Sequence, residues 1–284
     1  MTPTIPDAEA ARRRAAFTAL HASGCFVLPN PWDVGTARYL RHLGFKALAT
    51  TSSGFSFSRG LPDGGAVTRD QALAHVAEIV AATDLPVNAD FESGFGRGPD
   101  DVAESVGLCA ATGVAGLSIE DATGDPAHPL FDVPVAVERV RAARTALDGT
   151  GVLLTARAEC HLVGHPRPLE ESIHRLRAYA EAGADVLYAP GPRDPADIRA
   201  IVEAVAPKPV NVLMSAHTGL TLGNLATLGV RRVSTGSSLA RAAWTAFLRA
   251  ADAIAAKGSF EGLDGLVSFG DLNAFFRRDL DSRR

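Results

Sequence analysis

The chain has 284 residues, 46% of them hydrophobic and 21% charged, which is enough apolar matter for one large domain or two small ones. With 28 basic and 32 acidic residues the formal charge is −4, which argues against a nucleic-acid or anionic-membrane surface. No apolar run reaches the ~20 residues that span a bilayer. The start MTPTIPDAEAARRR lacks the apolar stretch of a secretory signal, and Cys25, Cys109 and Cys160 form neither a disulfide framework nor a zinc pattern, so a cytoplasmic protein is expected.

In chain order, Asp7 to Ala22 reads as an N-terminal helix able to close the bottom of a barrel. Short apolar runs follow near Phe26, Lys46, Pro86, Ala115, Val152, Asp185, Pro209 and Arg231. Between them lie stretches of helical period: Asp70 to Ala82, Asp100 to Ala111, Val135 to Leu147, Pro168 to Ala182 and Pro195 to Val205. Gly44, Gly113, Gly183 and Gly229 each stand just before a strand, where glycine suits a left-handed helix C-cap. Eight strand-plus-helix units of about 35 residues, with no Gly-rich dinucleotide turn after the first strand, predict an α/β fold of the (β/α)8 TIM-barrel type. One barrel domain over residues 1–284 is expected, with a C-terminal helical tail from about 258 to 284. The tail is rich in large apolar residues (Leu266, Phe269, Leu272, Phe275 and Phe276), which need a partner surface, either the chain's own barrel or a neighbouring subunit.

The chemistry of such a barrel sits at the C-terminal ends of its strands. There the sequence places Thr50-Thr51-Ser52-Ser53-Gly54, Asp63, Asp90-Phe91-Glu92 before Gly94 and Gly96, Glu120-Asp121, Arg157-Ala158-Glu159, Asn211 and Gly236-Ser237-Ser238. Asp63, Asp90, Glu92, Glu120, Asp121 and Glu159 are costly to bring together in a partly dry mouth unless a cation neutralises them. Hard oxygen donors without a Cys/His cluster suit Mg2+, or Mn2+. Strand alternation is expected to turn both Asp90 and Glu92 to the barrel interior. Arg157, with its planar fork, suits a carboxylate or phosphate, or an ion pair with Glu159 or Glu120. Ser52-Ser53-Gly54 offers backbone N–H groups to an anion, and Gly236-Ser237-Ser238 reads as a helix N-cap. Lys46, Lys208 and Lys257 are the only lysines, and none falls at the rim, which excludes a Schiff-base aldolase.

The stretches PNPWDVGTARYL, TTSSGFSFSRGLPD, NADFESGFG, GLSIED and LTARAE, spread over Phe26 to Ser238, resemble the isocitrate lyase/phosphoenolpyruvate mutase superfamily. The resemblance implies that Asp90, Glu92 and Glu120 organise Mg2+, partly through waters, with Asp63 in the outer metal shell. It implies that Ser52, Ser53 and Gly54 bind the substrate carboxylate, that Arg157 holds the substrate, and that Asn211 matches a strand 7 asparagine of the lyases. The substrates implied are 2-oxo or 2-hydroxy carboxylates, processed through an enolate-type intermediate. Barrels of this family commonly pair by exchanging the last helix, which implies a homodimer or homotetramer.

The chain also departs from the family. The lyase loop K-[KR]-C-G-H after the strand 4 E-D is replaced by ATGDPAHPLFDV, without cysteine or lysine. The phosphonate-forming mutases have lysine directly after E-D and histidine ending strand 6, where Ala122 and about Ala189 stand here. The expected activity is therefore Mg2+-dependent C–C cleavage, of retro-aldol/Claisen type or by decarboxylation, of a small 2-oxo or 2-hydroxy carboxylate. His128 in the altered loop is the candidate replacement general acid, or else a plain surface histidine. The rival readings are a phosphonopyruvate-type P–C bond enzyme and a non-catalytic 2-oxo-acid-binding barrel.

Overall fold

The computed structural model describes residues 5–283. Two compact units divide the chain at Ser237/Ser238. The first contains eight parallel strands: β1 (Phe26–Leu28), β2 (Leu48–Ala49), β3 (Val87–Asp90), β4 (Gly116–Glu120), β5 (Leu153–Arg157), β6 (Val186–Tyr188), β7 (Val210–Leu213) and β8 (Arg232–Ser234). They form one sheet in the order β1-β8-β7-β6-β5-β4-β3-β2. The Ala49 N–H donates to the Pro29 carbonyl at 3.0 Å and draws the two ends of the sheet together, so the barrel is nearly closed. Each of the eight runs predicted from the sequence holds one strand.

The helices of this unit are α1 (Asp7–Ala22), α2 (Val34–His42), α3 (Ser52–Ser58), α4 (Arg69–Ala82), α5 (Pro99–Ala111), α6 (Val133–Ala146), α7 (Pro168–Glu181), α8 (Pro195–Val205) and α9 (Leu222–Thr227). α4 to α8 match the predicted helical stretches to within two residues at each end. Gly44, Gly113, Gly183 and Gly229 all have φ between +86° and +103°, the left-handed cap expected of them. The short α3, directly after β2, was not foreseen. Thr51 caps it, its Oγ1 accepting from the Gly54 N–H at 3.2 Å.

The outward faces of the strands carry Leu117, Leu154, Leu187 and Val233, buried against Val106, Val140, Leu176 and Ile198 of the helices. Each such side chain contributes about 1.5–3 kcal/mol on burial. The inward faces are filled differently. At the bottom, α1 inserts Phe17, fully buried with Leu28, Ala47, Ala49 and Ala115. A Cβ on Gly116 would stand 2.7 Å from the Phe17 ring, so only glycine admits the plug there. Arg14 of α1 donates to the carbonyls of Ala110, Val114 and Thr150 at 2.9–3.0 Å, tying the plug to the loops beneath the barrel. The N-terminal helix thus closes the barrel bottom, as expected.

The second unit holds α10 (Ser238–Lys257), a 3-10 turn (Glu261–Leu263) and α11 (Phe269–Asp281). Within it Phe275 is buried, while Leu266, Phe269, Leu272 and Phe276 are exposed, Phe269 at 85%. Among the described residues no helix is long and apolar enough to cross a membrane.

Candidate functional site

β5 delivers Arg157 into the mouth, where it meets three carboxylates. Its Nη1 donates to Asp90 Oδ1 at 2.7 Å, its Nη2 lies 3.0 Å from Glu120 Oε2, and its Nε donates to Glu159 Oε1 at 2.9 Å. The guanidinium carbon stands 5.2 Å from the centre of the Tyr188 ring. The ladder explains the grouping: Glu120 pairs with Arg157, and Arg157 with Tyr188, so all three point to the same side of the sheet. Loss of hydration alone would lower the pKa of Arg157. Glu159, Glu120 and Asp90 outweigh it and hold the guanidinium charged.

Asp90 ends β3. Its Oδ2 accepts from both the N–H and the hydroxyl of Ser52 at 2.9 Å, and its own N–H donates to Thr50 Oγ1 at 2.8 Å. Glu92 reaches the mouth by another route than expected. β3 stops at Asp90, and Glu92 lies beyond it with φ +46°, so a left-handed turn and not strand alternation aims the side chain. Such backbone costs about 1–3 kcal/mol and concentrates at functional sites. Glu92 Oε2 accepts from the Gly65 N–H at 3.1 Å, which fastens the Asp63 loop to the rim. The glycines after Glu92 serve packing: a Cβ on Gly96 would lie 2.6 Å from the Val102 N of α5.

The acidities report crowding of negative charge. Burial, then Asp90 and Asp63, raises Glu92 to about 7. Burial also pushes Glu120 well above the usual carboxylate range, with Glu159, Asp90 and Glu92 adding to the rise and Arg157 opposing it. Glu159 moves the same way, chiefly by burial. Asp63, on the exposed loop, is raised by lost hydration and by Asp90.

Asp121 does not belong to this group. It follows Glu120, so its side chain turns to the outside of the sheet, where it is buried. Its Oδ1 accepts from the Glu159 N–H at 2.8 Å, and its Oδ2 accepts from Tyr179 at 2.6 Å and from Arg175 at 3.0 Å. It anchors the end of β5 to α7. The expected acidic rim therefore loses one member and gains a support.

The other expected residues lie around this centre. Ser52 grips Asp90, and Ser53 Oγ lies 3.3 Å from Thr51 Oγ1. The Gly54 N–H is engaged by the helix cap. Asn211 sits lower in the barrel. Its Oδ1 accepts from Arg232 Nε at 2.8 Å, and its Nδ2 donates to Ser234 Oγ at 2.9 Å. His128 is exposed on a small hairpin closed by the Ala122–Leu130 bridge, and it lines an outer groove with His165 and Arg175. Gly236 and Thr235 donate their N–H groups to Asn30 Oδ1 at 2.9 and 3.0 Å. Asn30 and Tyr188 were missed as members of the site's frame. The strand-end position of Tyr188, one place before Ala189, was the signal that could have found it.

A divalent ion has a donor set here of carboxylate oxygens alone. Among the described residues no three His, Cys, Asp or Glu side chains converge into a ready shell of direct ligands. The chemistry of the donors, carboxylate oxygens without Cys or His, suits a hard ion such as Mg2+ and not zinc.

Comparison with known proteins agrees with the fold. The phosphoenolpyruvate phosphomutase family matches residues 17–255. A solved structure of a “putative lyase/mutase” from Burkholderia cenocepacia J2315 is 50% identical, covers 95% of this chain and 98% of its own, and superposes with a TM-score of 0.90. An uncharacterized protein of Mycobacterium tuberculosis (strain ATCC 25618 / H37Rv) is 35% identical over 260 residues, 91% of this chain and 95% of that one. The structure of 2,3-dimethylmalate lyase is 26% identical, covers 99% of this chain and 98% of its own, and has a TM-score of 0.82. With the family matched over most of its length and the barrel superposing on its members, the chain belongs to the phosphoenolpyruvate mutase/isocitrate lyase superfamily, whose members are lyases, hydrolases and mutases of small carboxylates.

Proposed function

We propose that the protein is a Mg2+-dependent carbon–carbon lyase of a small 2-oxo or 2-hydroxy carboxylate, cleaving it by a retro-aldol/Claisen step or by decarboxylation through an enolate. The observation that carries this reading is the mouth itself, one charged guanidinium among carboxylates whose proton affinities are raised. Such a group is stabilised by protons or by a cation. Asp90, Glu92 and Glu120, with Asp63 in the outer shell, would hold Mg2+, or Mn2+, largely through its waters. When bound, the ion supplies Lewis-acid charge that favours negative charge on substrate oxygens.

The chain's own residues do the rest. A guanidinium has five N–H donors, and the three carboxylates engage one on each nitrogen of Arg157. One N–H on each terminal nitrogen is left for a substrate carboxylate. Ser52 keeps Asp90 oriented, and Ser53 with the start of α3 offers a second carboxylate contact. Asn211 sets the floor by holding Arg232 and Ser234. His128 is the candidate proton donor only if its hairpin folds inward. With His128 exposed on the outside, the proton for the departing carbanion would come from water, as a decarboxylase tolerates. The similarity to 2,3-dimethylmalate lyase supports a hydroxy-dicarboxylate substrate. The exposed apolar residues of the second unit support assembly into a homodimer or homotetramer.

The test is a panel of 2-oxo and 2-hydroxy acids, scanned for Mg2+-dependent thermal shift and then for turnover. Metal-dependent C–C cleavage is the expected result. Shift without turnover of any acid would replace the lyase by a binding protein, and turnover of phosphonopyruvate alone would replace it by P–C chemistry.

A further inference from the structure

The turn between β3 and α5, which aims Glu92, takes unfavourable backbone at more than one place. Glu92, Gly94 and Phe95 all lie in the left-handed region, at φ +46°, +85° and +52°. Glycine adopts that region freely, whereas glutamate and phenylalanine stay there only where the surroundings hold them. Part of the hold comes from the backbone: the Gly94 N–H donates to the Phe91 carbonyl and the Glu120 N–H to the Glu92 carbonyl, both at 2.9 Å. At the far end Asp101 of α5 accepts from the N–H groups of Arg97 and Gly98 at 3.0 and 3.1 Å. The carbonyls of Ser93 and Arg97 are both taken by a single side chain, Arg139 of α6.

Arg139 is 2% exposed. Its Nη2 donates to the Ser93 carbonyl at 2.7 Å and its Nη1 to the Arg97 carbonyl at 3.0 Å, so the two bonds bracket Gly94, Phe95 and Gly96. The guanidinium carbon stands 4.2 Å from the centre of the Phe131 ring, within cation–π range. Phe131 belongs to the stretch ATGDPAHPLFDV after β4, and it is fastened in turn: its N–H donates to the Asp121 carbonyl at 2.9 Å, and its carbonyl accepts from Arg175 at 2.8 Å. Burial lowers the pKa of Arg139, and Asp101 opposes the fall. Keeping a cation on neutral carbonyls at this depth is costly, and an apolar side chain would serve packing alone. A guanidinium adds two donors on one rigid plane, which fixes two carbonyls at a set separation and with them the course of the chain between.

We propose that Arg139 is a positioning residue for Glu92: its grip on the Ser93 and Arg97 carbonyls holds the turn that keeps the Glu92 carboxylate at the mouth, and Phe131 seats the guanidinium from the other side. The stretch in which this chain departs from the lyases and the turn that carries Glu92 then share one support. Arg139 touches neither of the acids at the mouth and acts on the site only through the backbone of the turn. Its effect on a metal ion rests on the reading of Glu92 as a donor to that ion, whereas its grip on the turn does not.

Calorimetric titration of Mn2+ into the wild type, Arg139→Lys, Glu92→Gln and the double variant tests the proposal. Lysine keeps the charge and loses the fork, so Mn2+ affinity is expected to fall by ~10–100-fold, the usual effect of a residue that orients a metal donor. In the Glu92→Gln background the same substitution is expected to cost little, because the carboxylate it positions is gone. Wild-type Mn2+ affinity in Arg139→Lys, or an equal loss with and without Glu92, would overturn the positioning role. Phe131 is half-buried, so Phe131→Leu loosens the seat without opening the core and keeps the test valid if Arg139→Lys misfolds. A fall in Mn2+ affinity that needs Glu92 is expected there too, and an unchanged affinity would count against the proposal. Hydrogen exchange separates this inference from the metal reading. Faster exchange over residues 92–97 in Arg139→Lys, with α7 unchanged, is expected whether or not an ion binds, and unchanged exchange over 92–97 would overturn the grip. A wild type that binds no Mn2+ would sink the metal reading while the exchange result stood.

Discussion

Arg232 is buried and Arg157 half-buried, and both point into the barrel, joined by the register Arg157–Tyr188–Asn211–Arg232 across neighbouring strands. Their surroundings are opposite. Arg157 touches three carboxylates and is held charged. Among the described residues Arg232 hydrogen-bonds neutral groups: Asn211 Oδ1 at 2.8 Å, Thr155 Oγ1 at 3.0 Å and His21 Nε2 at 3.4 Å. Burial lowers its pKa to about 9. The mouth thus carries a surplus of acidic groups and the floor beneath it a guanidinium without a carboxylate partner among the described residues. A charge matched to carboxylates suits an exchange of partners when a cation and an anionic substrate arrive. A charge fixed by amide and hydroxyl groups suits a scaffold. On the proposed function, the same residue type serves the substrate at one level and the architecture at the other.

Substitutions that exchange the two roles would break this comparison. The largest effect is expected from Asp90→Ala, which should abolish metal-dependent turnover while the circular dichroism of the barrel stays unchanged. Wild-type turnover in excess EDTA would contradict it. Arg157→Lys keeps the charge and loses the fork, so affinity for a carboxylate ligand should fall by about 1.5–3 kcal/mol, read as KM or as a calorimetric Kd. An unchanged KM and kcat would make Arg157 as structural as Arg232. Arg232→Leu should show the reverse pattern. It strands Asn211 Oδ1 and should cost about 1–3 kcal/mol in urea unfolding, with Mg2+ affinity unchanged.

The pH dependence of stability sharpens the contrast. Glu92 is raised to about 7 and Glu120 is raised well above its ordinary value. Acids with raised folded-state pKa values stabilise below the ordinary carboxylate pKa of ~4.3, and that contribution is lost as pH rises through the folded value. His21 at the floor is lowered to about 3, first by burial and then by Arg232. Its contribution is present above the ordinary histidine pKa of ~6.5 and is lost as pH falls toward the folded value. The metal-free protein should therefore lose Tm on both sides of a weakly acidic optimum, and Mg2+ should lift only the alkaline side. Equal lifting of both sides would erase the distinction between mouth and floor. The smallest effect is expected from His128→Ala, less than about threefold in kcat. A fall of ~10²–10⁴ would show that the hairpin folds in and that His128 is the acid.

The barrel was legible because its signals are periodic and local. Eight apolar runs, the helical spacing between them and Gly44, Gly113, Gly183 and Gly229 as caps each report on a few neighbouring residues. The grouping of Asp90, Glu120 and Arg157 was legible too, because strand ends converge in a barrel. Three features were not. Glu92 depends on a left-handed turn that strand alternation does not describe. Asp121 was counted with the rim because its neighbour Glu120 faces it, yet adjacent residues of a strand face opposite ways. The floor around Arg232 depends on His21, 211 positions away in sequence, a pairing that no local pattern announces.

The most direct test of the mouth as a metal-organised carboxylate site is calorimetric titration of Mg2+ into wild-type protein and into Asp90→Ala at slightly alkaline pH. One saturable site with proton release in the wild type, absent from the variant, is the expected result. Equal heats in the two proteins, or none in either, would contradict it.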